Sequence, residues 1–189
     1  MGTDKALLPL GAMNLLQSAI AKAKEASPRT VIVGRRDRYA QFGAVVEDII
    51  PGCGPLSGIH AALATTVSEL NLMLSVDMPF MSADFLRWLL QLAATYGELA
   101  VVTEAHGRTQ PLCSVFRRAA LREVECALRE NKYRVDRLFS ILPTRLVPEN
   151  DWRAAGFSPD IFCNVNTPEE YAAAADTVEE TLKLSVRAT

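Results

Sequence analysis

The sequence predicts an α/β domain with a mostly parallel sheet and helices on both of its faces. Three observations carry this reading. Short β-branched runs alternate along the chain with runs of helical periodicity, the order produced by βαβ units. The stretch "LNLMLSV", residues 70–76, is almost continuously apolar, as strands covered on both faces of a parallel sheet are. At 189 residues, 49% of them hydrophobic, the chain is long enough to enclose one core, and it reads as a single domain, 1–189.

The elements follow in order. Leu15, Leu16, Ile20 and Ala23 recur at helical spacing over residues 12–26, and Ser27-Pro28 ends that helix. "TVIVG" (30–34) is a β-branched burst closed by glycine, hence a strand. A short helix over Arg38–Phe42 leads to a second strand, "AVVED" (44–48), and the turn "PGCGP" (51–55). Leu56, Ile59, Ala62 and Leu63 then form one apolar helical stripe. After the strand at 70–77, Ser82 caps a helix carrying Phe85, Leu86, Leu89, Leu90 and Leu92. "LAVVTE" (99–104) and "PLCSVF" (111–116) are strands joined through the turn "AHGR". A helix covers 117–130, a shorter one "VDRLF", and "TRLVPE" and "DIFCNV" read as short strands. The last helix opens with Thr167 as N-cap, Pro168 at its first position and Glu170 completing a capping box.

Composition excludes several classes. The net charge is −2 and no basic block is present, which argues against a nucleic-acid or membrane-surface partner. No apolar stretch is long enough to span a bilayer, and no signal peptide is recognisable. Cys53, Cys113, Cys126 and Cys163 stand far apart, without CxxC spacing or partnering histidines. They read as reduced thiols of a cytoplasmic protein rather than a zinc site.

In an open α/β sheet ligands bind beyond the carboxyl ends of the strands. Asp77 closes the strand "LNLMLSV" and precedes Met78-Pro79-Phe80, so its carboxylate is expected at that edge. One carboxylate plus substrate phosphates is the usual way to hold Mg²⁺. Asp48 ends "AVVE", where it is a ligand group or a plain turn-former. The turn "IPGCGPLSGI" offers backbone N–H groups at a helix start, a weak signal for an anion or a nucleobase edge. Lys5 is a candidate phosphate ligand, or a solvated surface lysine. Asn164 and Asn166 alternate, which puts both amides on one side of an extended segment. They either grip a ligand or organise the turn into the last helix. His60 and His106 read as helix-surface and turn residues, and no Ser-His-Asp or Cys-His constellation is present.

Taken together, "MGTDKALLPLG", "VVEDIIPGCGPLSGIHAAL", "SVDMPF", "QPLCSVF" and "NVNTPEEY" resemble, in order and spacing, the MobA family of molybdenum cofactor guanylyltransferases. The likeness runs from Met1 to about Ala174. It implies a three-layer, Rossmann-like nucleotidyltransferase fold and transfer of GMP from GTP to the phosphate of molybdopterin with Mg²⁺, releasing pyrophosphate. It further implies that Lys5 binds phosphate, Asp48 and Asp77 bind the nucleotide, and Asp77 ligates the metal. Asn164 and Asn166 would lie near the reaction centre, on the substrate side. Molybdoenzyme-maturation proteins would be downstream partners.

Two departures from the family pattern set further expectations. The family opens with a buried strand and a glycine-rich loop, whereas this sequence starts at the "MG" that closes such a loop. A sheet lacking its first strand, with a gap or exposed inner edge, is therefore expected, together with poor transfer of GMP or none. Gly34 also stands where the family often carries an asparagine. A related transferase using CTP or another acceptor, or a non-catalytic remnant, are the alternative readings.

Overall fold

The computed structural model describes residues 4–187; Met1 and Gly2 of the "MG" reading lie outside them. A 3-10 helix, Lys5–Leu7, leads into a small antiparallel hairpin of β1 (Pro9–Leu10) and β2 (Met13–Asn14). α1 (Leu15–Ala26) begins at Asn14, whose side chain accepts from the Gln17 N–H at 2.8 Å while Gln17 accepts from the Asn14 N–H at 3.0 Å. This capping box, with Met13 and Asn14 engaged in the hairpin, starts the helix three residues later than periodicity alone suggests.

β3 (Ile32–Val33), α2 (Arg36–Tyr39) and β4 (Val45–Val46) follow, with β3 and β4 paired in parallel. Next come α3 (Pro55–Thr65), β5 (Leu70–Leu74) and α4 (Ala83–Thr95), the last capped by Ser82 accepting from the Phe85 N–H at 3.1 Å. β6 (Ala100–Ala105) and β7 (Arg108–Arg117) form a hairpin, followed by α5 (Leu121–Arg129), α6 (Val135–Ile141) and β8 (Thr144–Val147). α7 (Glu149–Ala154) and α8 (Pro168–Arg187) complete the described chain.

The larger sheet has the order β5-β7-β6-β8. β7 is antiparallel to both neighbours and β8 is parallel to β6. Three of its four strands thus share one direction. One face is covered by α3 and α5, where Leu56, Ile59 and Leu63 meet Phe116, Val124 and Leu138. The other is covered by α4, whose Phe85, Leu86 and Leu89 pack with Trp152 and Phe162. The β3–β4 pair is not hydrogen-bonded to this sheet. Between β3 and β5 lies a cavity of about 680 Å³. Among the described residues no helix is long and apolar enough to cross a membrane.

Four local expectations are corrected. "DIFCNV" is not a strand: Ser158 caps a 3-10 helix, Pro159–Phe162, that turns Ile161 and Phe162 into the core. α7 is an unforeseen helix, fixed by Trp152, which is fully buried and donates its indole N–H to the Glu104 carbonyl at 2.9 Å. His60 faces the interior at 5% exposure, with Nε2 3.9 Å from Glu125 Oε1, because α5 covers α3 on that side. Leu70, Leu72 and Leu74 are half-buried rather than enclosed, since β5 is a sheet edge beside the cavity.

Candidate active site

The chain direction that brings β5 to the site also fixes Asp77. The ladder of β5 with β7 continues to Ser75, whose N–H donates to the Leu112 carbonyl at 2.8 Å, so Asp77 emerges just beyond the carboxyl end of the strand. Its backbone carbonyl accepts from the Val165 N–H at 2.9 Å. That single bond lays the segment Asn164–Asn166 alongside Asp77, although nearly ninety residues separate them in sequence. The approach to α8 is then locked by the expected capping box. Glu170 accepts from the Thr167 N–H at 3.0 Å, and its own N–H donates to the Thr167 hydroxyl at 3.2 Å.

Lys5 joins them from the opposite end of the chain. Its Nζ donates to Asn166 Oδ1 at 3.0 Å and lies 3.6 Å from Asp77 Oδ2. Lys5 is carried by the 3-10 helix that Asp4 initiates by accepting from the Ala6 N–H. The structure therefore brings Lys5, Asp77, Asn164 and Asn166 to one locus. Asp48 lies apart from this contact set. It follows β4 and lines the cavity mouth with Gly34, Gly54 and Pro55, on the side where β3 and β4 both end.

Two oxygens at the site have no protein partner. Asp77 Oδ1 and Asn164 Oδ1 are buried and unbonded, a costly state for a polar atom unless a ligand completes it. Both are hard oxygen donors of the kind Mg²⁺ takes. Among the described residues no three His, Cys, Asp or Glu side chains converge on a metal position. An ion here would draw its remaining ligands from water and substrate phosphates, which is how Mg²⁺ is usually held.

Two neighbouring groups, Asp4 and Lys22, escaped the sequence reading. Asp4 accepts from Tyr39 Oη at 2.9 Å and Arg38 Nη1 at 3.1 Å. Partial burial pushes its carboxyl up, but the hydrogen bonds from Tyr39 and Arg38 outweigh this and hold it below the usual carboxylate range. Nothing in the sequence marks a contact across 34 and 35 residues. Lys22 donates to the Pro79 carbonyl, two residues past Asp77, and burial lowers its pKa. It stands two helical turns after Leu15 on the buried stripe of α1, and that periodicity was a usable signal. Gly34 explains its own departure from the family pattern: a Cβ there would lie 2.9 Å from Tyr39 Cε2.

An ammonium, a carboxylate and a free amide oxygen beyond the strand ends of a three-layer α/β domain form a donor set suited to phosphate and a divalent cation. The comparisons are more specific. The profile of the "MobA-like NTP transferase domain" family matches residues 1–145, and the chain belongs to that family. It is 33% identical to a "Probable molybdenum cofactor guanylyltransferase" of Pelotomaculum thermopropionicum, over 90% of this chain and 83% of the relative. It is 28% identical to the "Molybdenum cofactor guanylyltransferase" of Vibrio cholerae, over 90% and 82% respectively. In structure it is similar to the molybdopterin-guanine dinucleotide biosynthesis protein A of Archaeoglobus fulgidus, with a TM-score of 0.81, 24% identity, and 95% and 92% of the two chains covered. The 2-C-methyl-D-erythritol 4-phosphate cytidylyltransferase of Thermus thermophilus shares the fold at a TM-score of 0.69 and 18% identity, over 93% and 94% of the two chains.

Proposed function

We propose that this protein transfers GMP from GTP to the terminal phosphate of molybdopterin and releases pyrophosphate. The observation that carries the reading is the convergence of Lys5, Asp77, Asn164 and Asn166, with two orphaned oxygens, in a chain whose curated relatives bear that activity in their names. In the reaction an oxygen of the molybdopterin phosphate attacks the α-phosphorus of GTP. The bond from that phosphorus to the oxygen bridging to the β-phosphate breaks, and pyrophosphate leaves with its electrons. The acceptor supplies its own nucleophile, so the protein has to align the two substrates and offset charge.

Lys5 does the second of these, its ammonium set against the phosphate oxygens. Asn166 holds Lys5 in place by accepting from Nζ. Asp77 and Asn164 fit Mg²⁺ through their unpartnered oxygens, and the ion when bound would neutralise charge on the triphosphate. Asp48, which follows β4 and lines the cavity with Gly54, would contact the nucleoside. A cytoplasmic setting, where GTP and free thiols persist, suits this chemistry.

The test is pyrophosphate release and nucleotidylated product from molybdopterin with GTP, CTP or ATP, in the presence of Mg²⁺. GTP alone is expected to support transfer. Preference for CTP would reassign the base while keeping the mechanism, and absence of transfer with all three nucleotides would refute the reading.

A further inference from the structure

Lys22 puts an ammonium where the helix has use for an apolar side chain. It lies on the buried stripe of α1, one turn after Ser18 and two after Leu15, which are 6% and 1% exposed, and α1 packs against α4. Lys22 is itself half-buried. Burial lowers its pKa, and the charge of Glu25 offsets this only in part. Among the described residues no carboxylate pairs with it, and its hydrogen bond runs from Nζ to the Pro79 carbonyl. Burying an ammonium without a paired carboxylate is costly. An apolar residue would complete the stripe without that cost, so the charge serves the bond to Pro79.

The turn after β5 is held at three successive carbonyls. That of Asp77 accepts from the Val165 N–H at 2.9 Å, that of Met78 from the Met81 N–H at 3.2 Å, and that of Pro79 from Lys22 Nζ. Of the three donors Lys22 alone is a side chain. The Asp77 carboxylate depends on this support. Its Oδ1 is buried and unbonded, and Lys5 Nζ stands 3.6 Å from Oδ2, too far for a hydrogen bond. Among the described residues no hydrogen bond orients the carboxylate, so its direction follows the backbone of the turn. α1 grips the other half of the site as well. The Leu15 N–H donates to the Leu8 carbonyl at 3.1 Å, directly after the 3-10 helix that carries Lys5. Leu15 and Lys22 are two turns apart on one helix, about 10 Å. A single rigid element thus holds the Lys5 segment at one end and the Asp77 turn further along.

We propose that Lys22 is a positioning residue for the transfer reaction, fixing the Asp77 carboxylate relative to Lys5 through the Pro79 carbonyl. The inference rests on the proposed function and concerns how the same site is held. Lys22 acts through the backbone of the turn. Without its ammonium the peptide unit after Pro79 loses its anchor to α1, and the turn can rotate about the two anchors that remain. Because Pro79 has a fixed φ, such a rotation is passed back toward Asp77 rather than absorbed at the proline. A group displaced by about 1 Å in a transfer site costs about 10² in rate.

The experiment compares the 189-residue chain with Lys22→Met, which keeps the length and drops the charge, and with Lys22→Arg, which keeps a cationic donor. In Lys22→Met the lost bond and the relieved desolvation oppose each other, so the thermal midpoint should move by no more than about 4 °C. Amide exchange at Val165 and Met81, the donors to the two neighbouring carbonyls, should quicken by at least about tenfold, the factor that goes with one net hydrogen bond. Exchange in β6 should stay as it is. The Mg²⁺ concentration for half-maximal transfer should rise, and kcat/KM for GTP should fall by about 10². Lys22→Arg should recover part of each change. Unchanged exchange at Val165 and Met81 overturns the proposal, as do equal defects in the two variants. Failure of Lys22→Met to fold, or faster exchange throughout the molecule, makes Lys22 a structural group and overturns it too. Undiminished transfer by Lys22→Met does the same. Should the parent chain itself transfer no GMP, the proposed function fails, while exchange and unfolding still decide whether Lys22 sets the turn.

Discussion

Replacing Asp77 by asparagine separates function from stability at the candidate site. The carboxylate has one oxygen 3.6 Å from Lys5 Nζ and the other buried without a partner. At 3.6 Å a unit charge pair is worth about 5 kcal/mol at an effective dielectric of about 20 and about 1 kcal/mol in water. The two side chains are 27% and 26% exposed, and partly exposed pairs measure toward the lower figure, about 0–1 kcal/mol net. The orphaned oxygen costs about 1–3 kcal/mol. The Asp77→Asn protein would lose the attraction and lighten the desolvation, two changes of similar size and opposite sign. Stability should stay within about 1 kcal/mol, a thermal midpoint shift of no more than about 4 °C for a chain of this size. Transfer from GTP should fall by about 10²–10³, the cost of removing one preorganised electrostatic group from a transition state. The assay pairs thermal unfolding with pyrophosphate release at saturating GTP and varied Mg²⁺. Retained turnover would remove Asp77 from the reaction. A midpoint loss well beyond about 4 °C would make its carboxylate a structural group, and the argument from the orphaned oxygen would fail.

Other perturbations test the surrounding framework. Lys5→Met should lower kcat/KM for GTP by at least about 10² while unfolding is little changed, and Lys5→Arg should recover part of the loss; steady-state kinetics decide this. The carboxyl of Asp4 is held low in the folded state, so its contribution is present above the unfolded value of about 3.9 and lost as pH falls through the lower folded value. Urea titrations of Asp4→Asn against the parent protein should show a gap at about pH 5–7 that closes in acid. Trp152→Ala removes a fully buried ring and its bond to the Glu104 carbonyl, and should cost about 3–5 kcal/mol in denaturant unfolding.

The parts of the site that were legible in the sequence are those fixed by a strand end or a cap. Asp77 follows an apolar run and must emerge where it stops. Asn164 and Asn166 precede a capping box whose hydrogen bonds form as the residue types require. Side-chain contacts between distant segments left no trace, and Asp4 meeting Arg38 and Tyr39 is the clearest case. Apolar content misled in "DIFCNV", because Ser158-Pro159 favours a capped turn and burial of Ile161 and Phe162 does not need a strand. His60 was misplaced for a related reason: a polar residue beside an apolar stripe reads as exposed until α5 covers it. The reversal of β7 is encoded by the tight turn at His106-Gly107, both with positive φ, the backbone twist that two-residue hairpin loops require.

The cavity between β3 and β5 and the site share their supports. Ala6 lines the cavity and is the neighbour of Lys5; Val76 lines it and is the neighbour of Asp77. Tyr39, another wall residue, holds Asp4, which in turn starts the 3-10 helix that carries Lys5. Each charged group of the site is therefore one residue from the rim of a cavity with two unpaired edges. Groups aimed at a transferring phosphoryl lose about two orders of magnitude when displaced by about 1 Å, and a rim can hold them only as rigidly as its edges are paired. Displacement of either edge would therefore move Lys5 or Asp77 through the backbone, with no contact to the substrates. Placement of the site's two charges is in this sense a property of the sheet.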